Sequence, residues 1–315
     1  MSKYVFGVDL GGTTVKMGLF DTEGNLLDKW EIPTVKENCG ERVLPDIAAS
    51  LRGKMEERNL TKEDVAGVGL GVPGPVDTQG VLFRAGNVGW EDAFNIHDKL
   101  REYIDLPIVA ANDANVAALG EMWLGGGKGY SDMVMVTLGT GVGGGIIADG
   151  RLLTGAFGGA GEIGHIHVED NETEECGCHD YGCLEQYASA TGVVRLARRR
   201  LEQDDEPSLL RGSELSAKSV FDAVKAGDKV AEEIADKFGY YLGRGLSDVA
   251  AVTSPDVFVI GGGVSKAGEI LVDYIKPYYV KYAFPSCKHA EFVMAALGND
   301  AGICGAAKLV LDTGK

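Results

Sequence analysis

The densest chemistry in this sequence lies between Glu162 and Glu185, EIGHIHVEDNETEECGCHDYGCLE, which holds three of the six cysteines and three of the five histidines. Cys176, Cys178 and Cys183 form a C-x-C-x4-C pattern, and His165 stands eleven residues ahead of the first thiol. Three thiolates and one imidazole make a tetrahedral set for structural Zn²⁺. A disulfide is the poorer reading: two cysteines one residue apart do not reach disulfide geometry easily, and a cytosolic chain keeps its thiols reduced. Three histidines compete for the fourth position. His179 sits inside a short loop directly beside a ligand, which leaves it little freedom. His165 is favoured because it follows Gly164 and lies three residues after Glu162. One ring nitrogen can then hold metal while the other faces the same pocket as that carboxylate.

Glycine and threonine carry a second kind of chemistry. Tyr4 to Val8 is apolar and leads through Asp9 into Leu10-Gly11-Gly12-Thr13-Thr14; Val15 to Phe20 follows, and Asp21 to Asn25 turns the chain into Leu26 to Ile32. This is strand, glycine loop, strand, hairpin. The pattern returns as Met133 to Leu138, Gly139-Thr140-Gly141, Gly145 to Ala148 and the turn Asp149-Gly150. Leu10-Gly11-Gly12-Thr13 matches Leu138-Gly139-Thr140-Gly141 at an offset of 128 residues. The repeat implies duplication of one supersecondary unit, hence two related domains. Exposed N–H groups and hydroxyls at two such turns can hold phosphates. Gly139, Gly141 and Gly144 also satisfy G-x-G-x-x-G. A dinucleotide turn, however, needs a helix directly after the glycines, and Gly145-Ile146-Ile147 continues as strand. A Walker A loop is missing, since Gly129 rather than Ser or Thr follows Gly127-Lys128.

The remaining elements must position these groups. Pro45 to Arg58 is helical, and Val65 to Val72 is a strand ending in Pro73-Gly74-Pro75-Val76-Asp77. Ile108 to Ala111 is a strand closed by Asn112-Asp113-Ala114-Asn115, with a helix from Val116 to Trp123. By position alone Asp113 reads as the N-cap of that helix, although strand ends are where α/β folds place catalytic groups. Helices follow over Ala188 to Glu202, from the capping Ser216 to Ala226, and over Lys229 to Ala251. Arg198-Arg199-Arg200 reads as a solvated face or a phosphate-side patch. Val257 to Ile260 is a buried strand running into Gly261-Gly262-Gly263 ahead of a helix from Ala267. Those glycines suit the edge of a flat ring such as adenine, or tight strand-to-helix packing. Gly298-Asn299-Asp300-Ala301-Gly302 opens a last helix through Val310.

Bulk composition sets the outer limits. A chain of 315 residues can build two domains. Its 46 glycines are expected largely in loops of close backbone approach. A net charge of −17 disfavours a nucleic-acid backbone or an anionic membrane surface as partner. The first residues, MSKYVFGVD, have no apolar h-region, and no run of eighteen apolar residues occurs, so a cytoplasmic location is expected.

Taken together and in order, these motifs resemble the ROK family of sugar kinases, within the two-domain actin/hexokinase-like (ribonuclease H-like) ATPase fold of the α/β class, and in particular its ATP-dependent bacterial glucokinases. The resemblance runs through Asp9 to Thr14, Gly71 to Asp77, Asn112 to Asn115, Leu138 to Gly145, the metal segment, Gly261 to Ser265 and Gly298 to Gly302. It implies a smaller domain over 1–115, to which the helix at about 299–315 returns, and a larger one over 116–298 with the zinc knot. It implies ATP with Mg²⁺ as phosphoryl donor and structural Zn²⁺ held by His165, Cys176, Cys178 and Cys183. Asp9, Gly11, Gly12, Thr13, Thr14 and Lys16 would form the first phosphate loop, with Asp9 acting near Mg²⁺. Thr137, Gly139, Thr140 and Gly141 would form the second, and Gly262, Gly263 and Val264 part of the adenosine pocket. Asp113 matches the catalytic base, and Asn112, Glu162, His165, Glu185 and Gly74 the sugar-binding groups. The implied reaction is transfer to the 6-hydroxyl of glucose; another hexose or an N-acetylated hexosamine is the alternative acceptor. A small-molecule enzyme of this kind is commonly a homodimer or homotetramer and needs neither nucleic acid nor membrane. Repressors of the same family carry a DNA-binding helix-turn-helix ahead of the first hairpin, for which a hairpin starting by Val5 leaves no room. The sequence departs from the family at His179, where the usual pattern is C-x-C-G-x-x-G-C.

Overall fold

The computed structural model describes residues 2–313. Tyr4–Leu10 (β1) and Thr14–Asp21 (β2) form an antiparallel hairpin in which Asp9 pairs with Lys16, and Leu26–Pro33 (β3) extends it. A distorted turn, Glu37–Gly40 (α1), and the helix Val43–Glu57 (α2) carry the chain back to Val65–Val72 (β4), parallel to β1. Val81–Leu82 (β5) pairs with Phe94–Asn95 (β6), and Ile96–Arg101 (α3) leads to Ile108–Asn112 (β7), parallel to β4. The sheet order is β3-β2-β1-β4-β7. Phe6, Val8, Met17, Ile47, Leu51 and Leu70 belong to one buried cluster on this sheet and α2. Asp113–Leu124 (α4) begins where β7 ends.

The second round repeats that plan. Met133–Leu138 (β8) and Val142–Ala148 (β9) are followed by Arg151–Leu153 (β10). After the metal segment come Glu185–Ala188 (α5), Ala190–Leu201 (α6), Ala217–Lys225 (α7) and Lys229–Thr253 (α8). Val257–Gly261 (β11) runs parallel to β8, Ile270–Tyr282 (α9) crosses over, and Glu291–Met294 (β12) runs parallel to β11. The order β10-β9-β8-β11-β12 places hairpin strands on one side and parallel crossovers on the other, as in the first sheet. Ala301–Thr313 (α10) is the last helix.

Two expected helices are corrected. The helix placed over 188–202 is divided at Ser189, whose extended backbone starts α6 while its hydroxyl accepts from the Gly192 amide. The helix placed from Ala267 starts at Ile270, because Gly268 at φ +86° interrupts the preceding 3-10 turn.

The chain forms two compact units, one of Met1–Gly129, Gly145–Gly161 and Ala296–Lys315 and the other of Tyr130–Gly144 and Glu162–Ala295. The first unit therefore keeps the whole of α4, through which the expected 115/116 boundary would cut. The reason is close helix packing. A Cβ at Gly120 would overlap the Ala301 carbonyl, and one at Gly305 the Val116 carbonyl, so α4 and α10 touch backbone to backbone. Gly7 of β1 and Gly69 of β4 meet the Ile303 and Ala306 carbonyls in the same way. Most glycines do lie in turns and loops, as expected, but these four serve another end and form the seat of α10.

Candidate active site and metal centre

In the first unit the chemistry gathers at the tips of β1, β4 and β7. The turn Gly11–Thr13 is closed by Gly11 N donating to Thr14 O at 3.1 Å. It is pinned from outside by Thr34, whose amide donates to Thr13 O at 2.9 Å and whose hydroxyl donates to Gly11 O at 2.7 Å. A Cβ at Gly12 would come 3.5 Å from Lys36 Nζ. The lysine ammonium thus stands beside the turn, a group that sequence spacing did not single out. Asp9, next to last in β1, is half-buried. Burial raises its carboxyl to about 6, with the Asp113 charge adding to the rise and Lys16 opposing it.

Asp113 is not the cap of α4. Asn112 takes that place, its Oδ1 accepting from the Ala114 amide at 2.9 Å and the Asn115 amide at 3.3 Å. Asp113 is the first helical residue, its carboxylate left accessible to solvent at the strand end. Surrounding protein still desolvates it and raises its pKa, against the lowering effect of hydrogen bonds from the Ala114 amide and Asn112. Asn112 Nδ2 points to Gly74 O at 3.5 Å, which brings Gly74 to the same strand tips.

In the second unit β8 and β9 meet at Gly139–Gly141, closed by Gly139 N donating to Gly141 O at 3.0 Å. The start of α6 holds this turn: Ala190 N donates to Gly139 O and Thr191 Oγ1 to Thr140 O, both at 2.8 Å. Gly262, at φ +85°, lies with its α-carbon against the Leu138 backbone, where a Cβ would come within 2.6 Å. Gly263 faces open space, and Val264, at the start of the 3-10 turn Val264–Ala267, is buried. Thr137 on β8 pairs with Gly261 on β11. The two glycine stretches of this unit are therefore adjacent.

The metal segment folds back on itself through the bridges His167 to Cys183 and Glu175 to Tyr181. His165 Nδ1 or Nε2 and the three Sγ atoms of Cys176, Cys178 and Cys183 all lie within 4.8 Å of one another. Cys176 Sγ is 3.8 Å from His165 Nδ1, and Cys178 Sγ is 3.6 Å from Cys183 Sγ. A tetrahedron with Zn–S bonds near 2.3 Å has ligand-to-ligand edges of roughly 3.8 Å, so the donor set fits Zn²⁺. His179 stands outside it, exposed, with Nδ1 against Glu175 Oε1 at 2.6 Å and backbone at φ +69°. The left-handed conformation explains why glycine suits this position. Glu162, exposed, precedes the 3-10 turn Ile163–His165, and its carbonyl accepts from the His165 amide. Glu185 links the two halves of the unit, with Oε2 accepting from Val142 N at 3.0 Å and Oε1 lying 3.7 Å from Cys176 Sγ.

The arginine run does not form a phosphate patch. Arg199 Nη2 lies 2.8 Å from Glu172 Oε1 and 2.6 Å from Glu174 Oε1, while Arg200 pairs with Glu233, Asp204 and Glu206. Glu172 is buried and also receives Arg195 at 2.7 Å and the Tyr187 hydroxyl. Burial opposes its ionisation, but these donors win and hold its carboxyl well below the ordinary range. Arg195 and Arg199 tie α6 to the metal segment, and Arg200 ties it to α8 and the loop that follows α6.

A doubled α/β sheet with a glycine-threonine turn at the same place in each copy defines the actin/hexokinase-like ATPase fold. The chain belongs to the ROK family, which matches residues 5–313. It is 45% identical over 314 residues to a glucokinase of Halalkalibacterium halodurans, covering 98% of this chain and 95% of that one. A ROK family glucokinase from Streptomyces griseus, solved in complex with glucose and AMPPNP, superposes with a TM-score of 0.76 at 36% identity over 97% of this chain and 98% of its own. A ROK hexokinase from Thermus thermophilus superposes with a TM-score of 0.82 at 34% identity over 96% of each chain.

Proposed function

We propose that the chain is a glucokinase that transfers the γ-phosphoryl group of ATP to the 6-hydroxyl of glucose. The observation that carries this reading is the release of Asp113 from capping duty by Asn112, in a chain 45% identical over nearly its full length to a glucokinase. Phosphoryl transfer asks the protein for alignment and for neutralised phosphate charge rather than covalent help. Asp113 accepts the proton of the 6-hydroxyl as that oxygen attacks, and its accessible carboxylate at a helix start suits the task. Asn112 has its Oδ1 occupied, so it offers the sugar the Nδ2 hydrogen not turned to Gly74 O. Glu162, His165 and Glu185 accept from or donate to ring hydroxyls, and an epimer that lacks one leaves a polar group unpaired. The amides and hydroxyls of Gly11 to Thr14 and of Gly139 to Gly141 hold phosphates, with Lys16 supplying positive charge. Gly262, Gly263 and Val264 border adenosine. Asp9 is the group that would meet Mg²⁺, which supplies charge neutralisation on the phosphates.

Zn²⁺ on His165, Cys176, Cys178 and Cys183 has a structural task in this reading, fixing the ring of His165 and the neighbour of Glu185. Among the described residues no helix is long and apolar enough to cross a membrane, and a cytoplasmic homodimer or homotetramer is the setting we infer. The deciding experiment is coupled-assay turnover of Mg·ATP with glucose, mannose, fructose, N-acetylglucosamine and N-acetylmannosamine, with Asp113→Ala alongside. Preference for glucose, lost in the variant, is the expected result. No turnover with any of these sugars would overturn the reading.

A further inference from the structure

Glu121, on α4, is fully buried, yet it has no part in the chemistry described above. Its carboxylate is met by three backbone amides: Oε2 accepts from Gly126 N at 2.8 Å and Ala296 N at 2.9 Å, and Oε1 from Leu297 N at 2.9 Å. Its carbonyl accepts from the Gly125 and Gly127 amides, each at 3.0 Å. Gly125 has no room for a side chain, because a Cβ there would overlap Glu121 Oε2. An ionised carboxylate inside a protein is costly unless donors surround it, and here every donor is backbone from two chain segments far apart in sequence. The second segment, Ala296 and Leu297, is the lead into the 3-10 turn Gly298–Asp300 and the first turn of α10. In that first turn Gly302 lies so close to Asp9 that a Cβ would come 2.6 Å from Asp9 Cγ and 2.7 Å from Oδ2. The first turn of α10 therefore packs directly against the Asp9 carboxylate, with room there for nothing larger than glycine.

We propose that Glu121 is a positioning residue for phosphoryl transfer: by gripping Ala296 and Leu297 it seats the start of α10 against Asp9 and so fixes where that carboxylate meets the Mg²⁺-bearing phosphates. The inference rests on the kinase reading above, and the two fail differently. If the reading is wrong, wild-type protein phosphorylates no sugar; if only the inference is wrong, wild type is active and the Glu121 variants show it.

The test combines hydrogen exchange with steady-state kinetics. In wild type, the amides of Gly126, Ala296 and Leu297 should be protected although they lie outside helix and strand; exchange as free as that of exposed loop amides overturns the inference with no variant needed. In Glu121→Gln, which presents an N–H where a donor already points, exchange at 296–297 should rise about tenfold. The Mg²⁺ concentration for half-maximal rate should rise about fivefold or more, with KM for glucose within about twofold of wild type. Unchanged Mg²⁺ dependence, or Mg²⁺ and glucose dependence degraded together, overturns it, since general loosening would not single out Mg²⁺. If Glu121→Gln does not fold, Leu297→Pro supplies the same comparison, deleting one donor at a φ of −83° that proline tolerates.

Discussion

At the scale of single residues, the candidate site separates into groups with different costs. Asp113→Asn keeps the shape of the base but cannot take a proton, so kcat should fall by about 10²- to 10⁴-fold while glucose affinity, measured by calorimetry without nucleotide, changes little. Loss of glucose affinity in equal measure would make Asp113 a binding group. Asp9 shows what such a site costs in stability. Its carboxyl titrates near 6 in the folded protein against an ordinary 3.8, so the folded state holds more protons than the unfolded one between those values. Stability from this residue is therefore full below about pH 4 and lost as pH rises through about 6. Asp9→Asn should raise metal-free stability at pH 7 by on the order of 1–2 kcal/mol, after discounting partial exposure, and abolish turnover. Chemical denaturation at pH 4 and pH 7 checks it: no gain at pH 7 over pH 4 would refute the burial argument. The histidines divide as cleanly. His165→Ala should lose bound zinc, whereas His179→Gly should keep one zinc per chain and gain up to about 1 kcal/mol by relieving the left-handed backbone. The sequence made the cluster of His165, Cys176, Cys178 and Cys183 legible because C-x-C-x4-C leaves few geometries. It left Asp113 ambiguous because cap and first helical residue differ by one position, and only the amide partners of Asn112 decide between them.

At the scale of elements, the longer strands and helices were legible from periodicity, with ends within a few residues of those expected, whereas the short β5, β6, α3 and β12 were not read at all. What composition concealed was the use of glycine. Gly305 and Gly53 look equivalent in sequence, each a glycine within a helical stretch. A Cβ at Gly305 would overlap the Val116 carbonyl, while one at Gly53 on α2 would meet nothing within 4 Å. Gly305→Ala should therefore cost about 3 kcal/mol or more by prising α10 from α4, and Gly53→Ala should stabilise by about 0.5–1 kcal/mol through helix propensity alone. Urea denaturation of both variants tests the pair. Equal effects would mean that helix propensity, rather than the seat of α10, governs both positions. Glu121 escaped sequence reasoning for a related reason. A carboxylate in an amphipathic helix reads as surface, and its partners are amides that no side-chain pattern announces.

At the scale of the whole molecule, the candidate groups divide between the two units, and only the second contains the segment from Glu162 to Glu185. Its 24 residues from Glu162 to Glu185 have little regular structure; the Glu172 ion pairs to α6 and a few bridges hold them around the imidazole and three thiols that suit Zn²⁺. Structural zinc contributes about 10–16 kcal/mol of apparent binding energy in small peptides, far more than exposed ion pairs supply. Chelation should thus unfold the segment locally. Amides of residues 163–188 should lose exchange protection, and those of β1, β2 and β4 in the other unit should keep theirs. Glucose affinity should fall at least about tenfold in the same preparation, because His165 and Glu185 lose their orientation together. Zinc-free protein that retains both exchange protection over 163–188 and full glucose affinity would show that side-chain packing, and not the metal, shapes this segment. The Glu172 network would then be its principal support, and disrupting Glu172 rather than the cysteines would become the way to disable sugar binding.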